Sequence, residues 1–260
     1  MATFLFDKTV FGPVKSRRLG VSLGINLLPN DNKFCSFNCI YCECGWNPDR
    51  KNFNPVLPTR ELVYSSLEEK LKQMRLEGEL PDVITFAGNG EPTLHPDFHA
   101  IIEDTLYLRS ILAPDARIAV LSNSTMLHKP QVVEALNKVD DNILKLDSGI
   151  PETVMVLNKP VGHFSFEKMV ENLIAFDGKL IIQTLFIKGE HNGVHFDNTT
   201  ENELGAWMDL LAKIRPQKVM IYSIARDTPI DTLQKVTTPV LNAIAKRVTS
   251  TLQINVDVSN

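Results

Sequence analysis

The chain has 260 residues, 43% of them hydrophobic and 22% charged, and a formal net charge of −4. That composition suits one globular domain with a sizeable core and excludes a disordered chain. There is no basic tail of the kind that marks many nucleic-acid binders, and no apolar run long enough for a membrane span. Residues 1–20 read as an N-terminal extension, and 21–260 as one domain. Asp7 and Lys8 break any leader-like apolar run, so the expected location is the cytoplasm. Lys15, Arg17 and Arg18 form a small basic group, either a solvated turn or a contact for an anionic substrate. A short apolar run over 21–28 predicts the first strand, ended by Pro29 and Asn30. A cysteine-rich loop follows, then irregular chain in which Trp46 is expected to pack beneath the loop. Thr59 predicts the cap of a helix reaching Glu77, with Val63, Leu67, Leu71 and Met74 on one face and Gly78 past its end. Further strands are predicted over 82–87, 117–121, 142–146, 180–186 and 218–223, with a short terminal strand over 253–258. Helices are predicted over 96–112 and 129–138, after Ser165, after the capping-box pattern of Thr200 and Glu203, and after Thr238 and Pro239.

Six strands alternating with helices imply an α/β fold with parallel strands and right-handed crossovers. The chemistry-bearing stretches all fall at C-terminal strand ends. They are the cysteine loop, Gly88–Glu91, Ser122–Ser124, Lys145 with Asp147, the loop 187–199 and the stretch 222–227. Active sites of β/α barrels gather on that face. A flavodoxin-like doubly wound sheet is the alternative architecture.

All four cysteines, Cys35, Cys39, Cys42 and Cys44, lie within residues 35–44. A disulfide framework would spread its cysteines to close loops. Crowded thiols suit one inorganic centre in a reducing compartment. C-x₃-C-x₂-C fits a [4Fe–4S] cluster in which three thiolates hold three irons and leave the fourth open. The competing reading is a four-cysteine zinc knot in a binding module. A ferredoxin would need a fourth ligand elsewhere, commonly followed by proline.

With Tyr41 before the third cysteine, the chain resembles the radical S-adenosylmethionine (SAM) enzymes. Phe-Gly-Pro-Val-Lys-Ser-Arg-Arg-Leu-Gly over 11–20 and Gly-Asn-Gly-Glu-Pro-Thr-Leu-His-Pro over 88–96 resemble the subgroup that includes the wybutosine-synthesis enzymes acting on tRNA. The resemblance implies a partial (βα)6 TIM-like barrel in a single domain. It implies Cys35, Cys39 and Cys42 as ligands of a [4Fe–4S] cluster whose open iron is chelated by the amino and carboxylate groups of S-adenosyl-L-methionine. Tyr41 would lie near the adenine, and Gly88, Asn89, Gly90 and Glu91 would receive the ammonium. One electron from the cluster would cleave SAM to methionine and a 5′-deoxyadenosyl radical. An external one-electron reductant, a flavodoxin or ferredoxin, would be a partner. The substrate would be a tRNA base, a protein such as a glycyl-radical enzyme, or another molecule. Cys44 stands beyond the family pattern and is expected not to be a ligand.

Ser122 and Asn123 end the third strand, and Lys145 and Asp147 share one face at the end of the fourth. Lys145 is expected to pair the SAM carboxylate and Asp147 to accept from ribose hydroxyls, against the plainer reading of a mutual ion pair. His163, His191 and His195 sit in loops without metal-ligand spacing. Glu190, His191, Asn192, Asp197 and Asn198 are candidates for a substrate loop or lid, as are Tyr222, Arg226 and Asp227 after the sixth strand.

Overall fold

Alternating short apolar runs and amphipathic stretches build one open sheet backed by helices. The computed structural model describes residues 4–16, 20–49 and 53–259. In chain order its elements are β1 Val10–Ser16, β2 Gly20–Ile25, α1 Arg60–Glu77, β3 Val83–Phe86, α2 Phe98–Leu112, β4 Arg117–Ser122, α3 Pro130–Leu136, β5 Asp141–Lys145, α4 Pro151–Asn158 and α5 Phe166–Ile174. Then come β6 Ile181–Leu185, β7 Ile187–His191, β8 Val194–Asp197, α6 Glu201–Ile214, β9 Lys218–Tyr222, β10 Gln234–Lys235, α7 Thr238–Leu252 and β11 Asn255–Ser259.

The main sheet runs β1-β2-β3-β4-β5-β6-β9-β11, parallel throughout except for β1, and it does not close. Sequential strands are spatial neighbours from β2 to β6, so the order never reverses. A doubly wound sheet would reverse at a switch point, and this order excludes it.

Strand periodicity divides the apolar residues between two faces. Ile84, Phe86, Ile118, Val120, Leu144 and Ile182 point outward into the main core beneath the helices. Val83, Ala119, Ile143, Ile181 and Met220 point inward and pack together as a dry floor. Two residues further along the same inward columns stand Thr85, Leu121, Lys145, Gln183 and Tyr222. The lumen therefore turns polar toward the C-terminal strand ends.

Helix α1 starts and stops as its sequence dictates. The Thr59 hydroxyl accepts from the Leu62 N–H at 3.2 Å, and Gly78 ends the helix in the left-handed region. Helix α6 uses half of its expected capping box. Thr200 accepts from the Glu203 N–H at 3.4 Å, but the Glu203 carboxylate turns to Ser148 and Thr153 instead of back to the cap.

Three features depart from expectation. Residues 10–16 form β1, antiparallel to β2, so this part of the expected extension belongs to the sheet. Gly12 and Pro13 sit where the β1–β2 register shifts, and bulges on edge strands tolerate both residues. The expected loop 187–199 is instead the β7–β8 hairpin, joined by β10 into a small second sheet. Helix α4 was not foreseen, because its eight residues show too short a period. Among the described residues, no helix is long and apolar enough to cross a membrane.

Candidate active site

The cysteine loop is held from below and from one side. Asn47 accepts from the Cys35 N–H at 2.8 Å and donates to the Cys35 and Phe37 carbonyls at 3.1 and 3.2 Å. Phe37 and Ile40 are buried beneath the loop. On its flank the end of α4 and the residue after it pair with the loop, through Asn38 N–H to the Lys159 carbonyl and Ile40 N–H to the Leu157 carbonyl, both at 3.0 Å. The neighbouring Phe34 strand position bridges to Gly90. There a Cβ would stand 2.0 Å from the Phe34 carbonyl oxygen, so only glycine fits.

Cys35, Cys39 and Cys42 line a cavity of about 290 Å³ at the C-terminal strand ends, with Cys44 beside them. N–H groups point at the sulfurs. Phe37 N–H and the Asn123 amide each lie 3.4 Å from Cys35 Sγ, and the Asn158 amide lies 3.5 Å from Cys39 Sγ. Lys33, 2% exposed, reaches in from below and donates to the Gly45 carbonyl at 2.8 Å. Burial pushes the Cys35 thiol up to about 12 and raises Cys39 as well. The Cys44 thiol and the Lys33 ammonium outweigh burial at Cys42 and pull it down to about 5. Among the described residues, no three His, Cys, Asp or Glu side chains are gathered closely enough for a single metal ion. Sulfurs that bind three different irons stand farther apart than sulfurs sharing one zinc. Three spaced thiols, N–H donors aimed at sulfur and a buried cation fit an anionic iron–sulfur centre.

The opposite wall carries Gly88, Gly90, Glu91, Ser122 and Asn123. Glu91 is 1% exposed. Its Oε1 accepts from the Thr93 N–H, the Thr93 hydroxyl and Ser122, and its Oε2 accepts from the Asn123 N–H at 2.6 Å. Burial raises its carboxyl although these donors oppose the shift. Among the described residues Oε2 has one protein donor, so it keeps a lone pair for another.

A third wall is made by Tyr41 and Lys145. The Tyr41 hydroxyl donates to Asp147 and receives Lys145 Nζ at 2.8 Å and the Asn158 amide at 3.0 Å. Lys145 also pairs with Asp147 at 3.3 Å, and Asp147 Oδ1 accepts from the Leu185 N–H at 3.0 Å. Burial works against the lysine ammonium, but Asp147, Tyr222 and Cys39 outweigh it and hold the lysine above its ordinary range. Tyr222 and Arg226 complete the rim, with Arg226 paired to Glu43 at 2.6 Å.

A second cavity of about 280 Å³ adjoins the first inside the lumen. The two share Glu43, Ala87, Leu121, Gln183 and Arg226. One wall of the second is an aromatic strap ahead of β1. Phe6 stacks on Phe11 with centroids 3.7 Å apart, and Phe11 lies over Gly24, where a Cβ would come 2.1 Å from its ring.

Several expected contacts are corrected. Asn89 does not face the cavity. Its side chain exchanges two 2.8 Å hydrogen bonds with the Phe6 backbone and donates to the Pro29 carbonyl, while its own carbonyl accepts from Phe34 N–H. Asp147 is fully buried behind Tyr41 and does not line the cavity. Asn198 is a structural bracket: its amide donates to the Asp147 and Leu185 carbonyls and accepts from Ile187 N–H. His191 and Asn192 lie on the hairpin outside both cavities, with His191 stacked on Trp46 and 3.3 Å from Lys159 Nζ. Trp46 is 40% exposed instead of packed beneath the loop. Lys15 lines the second cavity. Arg17 and Arg18 lie outside the described residues.

Lys33, Asn47, Asn158 and Gln183 were missed. Lys33 had a usable signal, a lone cation two residues before the first cysteine. The others are amides whose roles depend on contacts distant in sequence.

Known proteins bear on this arrangement. The sequence model of the radical SAM superfamily matches residues 30–211, and the chain belongs to that superfamily. Its members use a [4Fe–4S] cluster and SAM and need an electron donor. The chain is 32% identical over 229 residues to the GTPase Obg of Brachyspira hyodysenteriae, covering 86% of this chain but 31% of that protein. It is 32% identical over 222 residues to a UPF0026 protein of Helicobacter pylori, covering 84% and 66% respectively. It thus spans under two thirds of either relative. The structure of TYW1 with a lysine-pyruvate adduct bound aligns at a TM-score of 0.62 and 15% identity, over 88% of this chain and 73% of that one. The shared fold is the partial barrel with its sheet unclosed.

Proposed function

We propose that this chain is a radical SAM enzyme in which Cys35, Cys39 and Cys42 hold the [4Fe–4S] cluster. The observation that carries the reading is the convergence of these three thiols, N–H donors around them, on a cavity walled by Glu91 and Lys145. When bound, the cluster supplies the electron for reductive cleavage of SAM, the family's source of a hydrogen-abstracting radical.

The chain's own residues bind and orient. The free lone pair of Glu91 Oε2 suits an ammonium, and the backbone of Gly88 and Gly90 lets a ligand approach closely. Lys145 spends two N–H groups on Tyr41 and Asp147, and its third suits a carboxylate. Tyr41, immobilised by Asp147, Lys145 and Asn158, offers a fixed ring to an adenine. Asp147 acts through Tyr41 and Lys145. Ser122 and Asn123 hold the Glu91 carboxylate. The apolar floor of Val83, Ala119, Ile143, Ile181 and Met220 keeps water from the lower lumen.

The external reductant in this reading is a flavodoxin or ferredoxin, and the four free thiols suit a cytoplasmic setting. Likeness of 11–20 and 88–96 to the wybutosine-type subgroup favours a tRNA base as substrate. Binding of tRNA should then weaken steeply with salt. No tRNA binding at low salt would turn the search to a protein or small molecule.

The deciding experiment is anaerobic reconstitution followed by iron, sulfide and zinc analysis, then reductant plus SAM. One [4Fe–4S] cluster per chain and release of 5′-deoxyadenosine are expected. Stoichiometric zinc without sulfide would sink the proposal.

A further inference from the structure

Lys33 takes no part in the ligand-binding roles above, yet it is a cation set among the cysteines. A buried ammonium is costly unless an anion faces it. Lys33 is 2% exposed, and it forms no ion pair with a carboxylate among the described residues. It lines one cavity with Cys35, Cys39 and Cys42, the groups placed to act as its counter-charges. Its ammonium is aimed by the Gly45 carbonyl at 2.8 Å, and the Gly45 N–H in turn donates to the Cys42 carbonyl at 2.9 Å. The cation is therefore tied to the turn that carries the third cysteine. A lysine serving only as loop scaffold would not need burial opposite three thiols.

We propose that Lys33 is a fixed counter-charge that sets the reduction potential of the cluster held by Cys35, Cys39 and Cys42. The inference rests on the cluster reading above. Reduction adds one electron to a centre already made negative by thiolates. A positive charge beside it favours the reduced form, and burial leaves that interaction little screened by salt. Net charge and hydrogen bonds to sulfur are among the factors that tune such potentials. Lys33 makes the cluster easier to reduce by an external donor.

The test compares wild type with Lys33→Met and Lys33→Arg, reconstituted anaerobically, with the midpoint potential read by EPR-monitored reductive titration. The methionine variant should shift to a more negative potential, and the arginine variant should stay near wild type. A methionine variant that is folded by circular dichroism yet takes up no iron, while the arginine variant loads normally, would also support the charge role. A methionine variant with the wild-type potential overturns the inference. So does an arginine variant shifted as far as the methionine one, or one that loads no better than it. If wild type forms no cluster, the underlying reading fails, a result distinct from an unchanged potential.

Discussion

Cys42 and Cys44 are two residues apart, yet their surroundings divide their roles. Cys42 is drawn down to about 5 by the Cys44 thiol and Lys33, whereas the Cys44 thiol, 3.6 Å from the Gly88 carbonyl, is raised, first by its contact with Cys42 and then by burial. Above about pH 5, Cys42 in iron-free protein is a thiolate. Its depressed value adds stability as pH rises from about 5 toward the ordinary thiol range, above which the raised Cys35, Cys39 and Cys44 thiols oppose it. Iodoacetamide at neutral pH should therefore label Cys42 before Cys35, whose thiol stays protonated up to about 12. Peptide mapping checks the order, and earlier labelling of Cys35 would refute it. With iron and sulfide supplied, Cys42→Ala should lose SAM cleavage while Cys44→Ala keeps both iron and cleavage. Equal iron loss in both variants would make Cys44 a ligand. Glu91→Ala should weaken SAM binding roughly 10–100-fold, by about 1.5–3 kcal/mol, with smaller loss of cluster. Isothermal titration against reconstituted protein reads this, and an unchanged affinity would remove Glu91 from the site.

At the scale of elements, the aromatic strap ahead of β1 is fastened by a residue expected to touch a cofactor. Asn89 clasps the Phe6 backbone as a neighbouring strand would, and Phe4 N–H reaches the Glu43 carbonyl at 3.0 Å. Asn89→Ala removes the bonds to Phe6 and Pro29 and should destabilise the fold by about 1–3 kcal/mol. Proteolysis should then begin within residues 4–9, and mass spectrometry of early fragments locates the cut. Digestion identical to wild type would show that the strap is held some other way. The strap also shows what could be read in advance. That the cysteines, Gly90 and Glu91 share one site was legible, because a proposed cluster and close backbone approach demand particular residue types at fixed spacing. Six strands were legible because each repeats a short apolar run between helical periods. Asn89, Asp147 and Asn198 were legible as polar residues at strand ends but not by role. An amide or carboxylate can serve a ligand or the backbone equally well, and the choice depends on chain that arrives from far away, such as Phe6 for Asn89. The β7–β8 hairpin carried an unused signal: Asn192-Gly193, both at positive φ, followed by the alternating Val194, His195, Phe196 and Asp197.

Across the whole molecule, helices back a sheet with two unlike ends, the antiparallel β1 and the parallel β11. Amides of β3 to β6 bond to strands on both sides and should exchange slowest with deuterium, and those of β1 and β11 fastest. Comparable protection at the edges and in the middle would contradict this. Trp207 anchors the helical layer, fully buried against Phe186 and donating to Thr184 at 3.1 Å. Trp207→Ala should cost about 3–5 kcal/mol, read from the shift of a urea transition.

The unbroken order of neighbours from β2 to β6 carries a temporal consequence. As the polypeptide leaves the ribosome, each new parallel strand meets a docking edge already made by the one before it. Assembly can run forward like a zip, with no earlier strand waiting for a later one to be inserted beside it. The cysteine loop emerges after β2, with its outer flank unbuilt until the end of α4 appears. On the cluster reading proposed above, loading of this loop with iron is expected to follow the synthesis of α4.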